Sequence, residues 1–89
     1  MKIAVFDTWV RRPDGRAMHF DILVTNEPAH RDPAVVLAHG RRYLAGKGLP
    51  PASLEARECR FCHTEPASPA QAAQIARDGF GVVELENCD

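Results

Sequence analysis

The stretch Arg12-Pro13-Asp14-Gly15-Arg16 constrains this chain more than any other. Proline pre-sets φ for the first turn position, aspartate suits the second and glycine accepts the left-handed third, so the segment specifies a tight hairpin. Residues 2 to 10 and 17 to 25, on either side, are rich in β-branched and aromatic types and read as its two strands. The loop fixes the register: Arg12 faces Arg16, so Trp9 faces His19, Asp7 faces Asp21 and Val5 faces Leu23. One face is then Ala4, Phe6, Thr8 and Val10 with Met18, Phe20, Ile22 and Val24, almost wholly apolar, and it must lie under helices. The other face is mixed and holds Asp7, Trp9, His19 and Asp21.

Beyond the hairpin, Asp32-Pro33 has the form of a helix start, an N-cap acceptor followed by a proline at the first helical position. Pro33, Val36, Leu37, Gly40, Tyr43 and Leu44 fall on one stripe at helical spacing, with His39 at its edge, and Gly46 and Gly48 end the helix. Residues 55 to 64 read as a third strand, on which Cys59 and Phe61 would share the core face while Glu58, Arg60 and Cys62 share the other. Ser68-Pro69-Ala70-Gln71 opens a second helix with a capping box, with Ala72, Ile75 and Ala76 as its buried stripe and Gly79 as its terminator. A last strand covers 80 to 86. The order is ββαβαβ, an α+β fold: an N-terminal β-hairpin in a four-stranded sheet, antiparallel or mixed, with two helices packed on one face. If strands three and four are neighbours, the helix between them favours a parallel crossover, bringing Cys88 toward the Cys62 end.

At 89 residues the chain is a single domain, 1–89, with room for one core. Hydrophobic residues at 45% and charged residues at 26% are globular proportions and exclude a disordered chain. A net charge of -1 with interspersed signs excludes the basic field that nucleic acid or an anionic membrane selects. Arg11, Arg12 and Arg16, and likewise Arg41 and Arg42, read as solvated surface. No apolar run approaches the ~20 residues of a membrane span, and Met1-Lys2-Ile3-Ala4-Val5-Phe6-Asp7 alternates directly into a strand without the features of an export signal. The expected location is the cytoplasm, where three cysteines are thiols or metal ligands rather than disulfides.

Two groups of residues carry possible chemistry. Cys59-x-x-Cys62-His63 matches the attachment motif of c-type haem, but that chemistry needs an exported chain and a large apolar pocket, so no haem is expected. Cys59, Cys62, His63 and Cys88 supply the ligand types of a closed zinc site. On an extended strand, however, residues three apart point to opposite faces ~10 Å apart, so that site requires a tight turn, and Arg60-Phe61 is poor turn material. A redox dithiol would want a helix start at the first cysteine, and here the helix begins later. The second group is Asp7, His19 and Asp21, which the hairpin register draws together. Opposed carboxylates there would raise one pKa, as catalytic sites do, unless Arg60 neutralises them on an exposed sheet.

Asp14-Gly15 leading to Met18-His19-Phe20-Asp21, together with Glu58-Cys59-Arg60-Phe61-Cys62-His63, resembles the signatures of a small bacterial family known as a numbered domain of unknown function. The likeness spans essentially the whole length and includes Asp7-Thr8 and Cys88. It implies a compact α+β unit and transfers no catalytic residue. The function expected from the sequence is a small cytoplasmic binding or interaction module without catalysis, associating with itself through an open sheet face or strand edge. A zinc protein using Cys59, Cys62, His63 and Cys88, and a small enzyme using Asp7, His19 and Asp21, are the alternatives.

Overall fold

The hairpin loop closes as its residues require. Gly15 takes φ of 90°, the Arg12 amide donates to the Arg16 carbonyl at 2.8 Å, and Asp14 Oδ1 accepts the Arg16 amide at 3.0 Å. The computed structural model describes all residues, 1–89, as β1 (Lys2–Arg11), β2 (Ala17–Thr25), α1 (Pro33–Gly46), two 3₁₀ turns (Pro51–Ser53 and Ala56–Glu58), β3 (Cys59–Pro66), α2 (Pro69–Asp78) and β4 (Gly81–Glu86). Cross-strand partners in the hairpin are Val5 with Leu23, Asp7 with Asp21 and Trp9 with His19, the register set by the loop.

Strand order in the sheet is β3-β1-β2-β4 and every pairing is antiparallel. The third and fourth strands are therefore not neighbours, and the parallel crossover conceivable from the sequence does not form. Each outer strand instead pairs with a free edge of the long central hairpin, which satisfies the backbone groups on both its sides. A side-by-side arrangement would have left one edge of the hairpin bare.

The two helices lie on opposite faces, not on one. Val36, Gly40 and Leu44 of α1 are buried in the larger core with Ala4, Phe6, Val10, Met18, Phe20, Ile22, Val24 and Leu54. The helix comes so close at Gly40 that a Cβ there would sit 2.5 Å from Leu54 Cδ2 and 3.0 Å from Ile22 Cδ1. Ile75 of α2 packs in a separate, smaller cluster with Ile3, Val5 and Leu23, flanked by Ala67 and Val83. The reason is geometric. The connection from β3 to β4 must cross the whole sheet, α1 already occupies one face, and the other offers an apolar strip only at its Ile3, Val5 and Leu23 end.

Local signals set the helix ends. Asp32 Oδ1 accepts the Ala34 amide at 2.8 Å to cap α1, and Ser68 and Gln71 bond reciprocally at 3.1 and 3.0 Å to cap α2. Gly79, with φ of 87°, ends α2 with its amide on the Ile75 carbonyl. The third strand begins at Cys59 rather than residue 55, because Glu55 and Glu58 close a capping box around a 3₁₀ turn. Pro33 and Ala76, placed on buried stripes by their spacing, are exposed: Pro33 sits in the first helical turn, and α2 meets the sheet along a narrow line through Ile75. Phe61 shares the α1 face with Cys59, yet it is 47% exposed at the sheet margin, edge-on to Phe6 and beneath the Arg31 guanidinium. No helix is long and apolar enough to cross a membrane.

Leu54 is fully buried beneath Gly40, whereas Phe61 keeps half its surface in water. Leu54→Ala is therefore expected to cost about 2–4 kcal/mol of unfolding free energy in urea titrations, and Phe61→Ala no more than about 1.5 kcal/mol.

Candidate binding site

Because α2 covers only one end of its face, the other end stays open. Strand alternation places Asp7 and Trp9 of β1 and His19 and Asp21 of β2 there. Trp9 and His19 are direct cross-strand partners and stack with ring centroids 4.0 Å apart and planes 9° from parallel. The stack leaves Trp9 40% exposed and shields His19, whose side chain is 17% exposed. It turns His19 Nε2 toward Asp7 Oδ1, with which it is in hydrogen-bond contact. One ligand atom each from Asp7, His19 and Asp21 lie within 4.8 Å of one another.

The charge in this group is incompletely balanced. Arg60 pairs with Asp7 in register across β1 and β3 but forms no ion pair with it, and its Nε donates instead to the Arg57 carbonyl at 3.4 Å. Asp21 has neither a hydrogen bond nor an ion pair from its side chain. Burial first, and the neighbouring Asp7 charge second, push its carboxyl above the ordinary aspartate value, against opposing pulls from His19 and His63. Beside Asp7 a shallow cleft of about 500 Å³ is lined by Asp7, Trp9, Arg57, Glu58 and Arg60.

The sulfur set is scattered. Cys59 pairs with Thr8 and is half-buried on the α1 side, where burial pushes its thiol pKa up. Cys88 is buried past the opposite edge of the sheet, its single S–H shared between the His19 and Glu86 carbonyls, each 3.3 Å from Sγ. Cys59, Cys62, His63 and Cys88 thus do not surround a common point, since β3 and β4 occupy opposite margins. Glu84, in register with Phe20, faces α1, pairing with Lys47 at 2.6 Å and accepting from Tyr43. Arg12 and Arg16 are engaged with the chain end, through the Asn87 and Asp89 carbonyls and the Asp89 carboxylate.

One arrangement was not visible in the sequence. Phe61 pairs with Phe6 and His63 with Val5, so Cys62 is an additional, bulged residue in β3. The bulge brings Cys62 Sγ to 3.2 Å from His63 Nδ1, and His63 Nε2 lies 3.3 Å from Glu65 Oε1. Adjacent residues on a regular strand would have diverged. Nothing in the residue types at 59 to 65 marks a bulge.

A four-stranded antiparallel sheet, helices on both faces and one exposed polar end define a small α+β domain with a single open sheet surface. The chain belongs to the family described as "Domain of unknown function (DUF2024)", whose sequence model matches residues 1–85. It is similar to protein NE1680 from Nitrosomonas europaea, whose NMR structure superposes with a TM-score of 0.83 at 32% identity over 100% of both chains. No curated protein matches it.

The raised Asp21 carboxyl has a consequence for stability. A carboxyl that holds its proton more tightly when folded favours the native state below the unfolded pKa, and this contribution is lost as pH rises through the folded pKa. Asp21→Asn is thus expected to raise the melting temperature near neutral pH, with the gain fading toward roughly pH 4, as read by thermal unfolding across that range.

Proposed function

We propose that the protein is a small cytoplasmic binding module that holds a divalent transition-metal ion between Asp7, His19 and Asp21. The observation that carries this is the convergence of one imidazole nitrogen and two carboxylate oxygens within 4.8 Å of one another. Such a donor set suits borderline Zn²⁺ or the harder Mn²⁺, and three protein ligands leave coordination positions for water or a bound molecule. A cation there would offset the repulsion between two opposed carboxylates. Trp9 supports the site by holding the imidazole plane. Arg57 and Arg60, on the adjoining cleft, would favour an anionic group on the ion. The cysteine-based zinc alternative has less support, since Cys59, Cys62 and His63 lie on β3 at the sheet margin opposite Cys88.

Mn²⁺ is the sharper probe because it avoids thiols, and its paramagnetism should broaden the amide signals of Asp7, His19 and Asp21 before others. Titration calorimetry should give one site, with affinity lowered at least about tenfold, ~1.4 kcal/mol, by His19→Ala or Asp21→Asn. A saturating ion at roughly 100 times its dissociation constant should add about 2.7 kcal/mol of stability. Asp21→Asn separates lost binding from lost folding, since it is expected to stabilise the ion-free protein while removing the gain from Mn²⁺. Absence of stoichiometric binding, or binding unchanged in both variants, overturns the proposal.

A further inference from the structure

We propose that Cys62, His63 and Glu65 form a nucleophilic thiol site that exchanges with a small disulfide, leaving Cys62 as a reversible mixed disulfide. The site is separate from the Asp7, His19 and Asp21 group and does not depend on it.

Three observations support it. The bulge at Cys62 sets consecutive side chains on one side of the strand, so that thiol, imidazole and carboxylate follow one another at 3.2 and 3.3 Å. In that order the imidazole can take the thiol proton through Nδ1 while the carboxylate holds Nε2, the relation of nucleophile, base and orienting group. β3 is an edge strand, and Cys62 is exposed there, open to an approaching reagent. Finally, the other two sulfurs are poorly placed to compete. Cys59 is half-buried on the opposite side, where burial pushes its thiol pKa up, and Cys88 is buried with its single S–H directed at two carbonyls.

The exchange balances without any further reactant. Cys62 loses its proton to His63 Nδ1, and the thiolate attacks one sulfur of the small disulfide. The Cys62–sulfur bond forms as the old S–S bond breaks, and the departing thiolate takes the proton from His63 and leaves as a thiol. Cys62 is oxidised and the disulfide is reduced by the same electron pair. Since Cys59 faces the other side of β3, no second thiol of this chain is positioned to displace the adduct. A second small thiol from solution reverses it.

Oxidised glutathione, followed by peptide mass mapping over time, is the probe. Cys62 should be modified at least about tenfold faster than Cys59 or Cys88, and Cys62→Ser should remove the fast phase. His63→Ala and, as a second variant at this surface position, His63→Asn should each slow Cys62 about tenfold. Glu65 acts as a positioning residue, so Glu65→Ala should slow the exchange roughly threefold while the conservative Glu65→Asp restores it. Preferential modification of Cys59 or Cys88, or an unchanged Cys62 rate in both His63 variants, overturns the proposal. An unchanged rate in Glu65→Ala overturns the part assigned to the carboxylate.

Discussion

The antiparallel register between β1 and β2 is the constraint on which the rest of the molecule depends. It aligns Ala4, Phe6, Thr8 and Val10 with Met18, Phe20, Ile22 and Val24 into one continuous surface, all of it buried. A slip of one residue would turn one strand's half of that surface to water and carry into the core either Asp7 or both His19 and Asp21, at a heavy desolvation cost. The loop at Pro13-Asp14-Gly15 forbids the slip, so the position of every polar group on the opposite face follows from a short turn far from most of them.

The polar end exists because the covering elements differ in length. β1 has 10 extended residues and α2 has 10 helical ones, so the strand is roughly twice as long as the helix that crosses its face. α2 is moored by Ile75 to Ile3, Val5 and Leu23, and it reaches no further along the hairpin. Past its limit the strands keep their alternation but lose their roof. There the chain carries Asp7, Trp9, His19 and Asp21, of which two pairs are made, the stack and the imidazole to carboxylate contact, while Asp21 is left without a partner.

What could be deduced from residues alone was whatever short-range chemistry controls. The turn, the Asp32 and Ser68 caps, the Gly79 terminator, the hairpin register and the grouping of Asp7, His19 and Asp21 all rest on side chains acting within a few positions or across one defined strand pair. Which margin of the hairpin each outer strand joins, and which face α2 crosses, are decided by competition among distant surfaces that no local pattern encodes. The arrangement of Cys62, His63 and Glu65 was hidden for a related reason. It depends on one residue falling out of step with its partner strand, and alternation counted along β3 by itself gives the wrong side for everything beyond that point. Arg60 shows the same limit: its register opposite Asp7 is as pairing implies, but its guanidinium turns to a nearby carbonyl.

Out-of-step residues occur on both margins, Cys62 in β3 and Leu85 in β4, where Phe20 pairs with Glu84 and His19 with Glu86. Each interrupts the even ladder of outward amides and carbonyls that an incoming fifth strand would have to match. Such irregularities are one of the ways in which natural sheets discourage pairing at an exposed edge. What the uncovered end displays, by contrast, is side chains: the Trp9 and His19 rings and the carboxylates of Asp7 and Asp21.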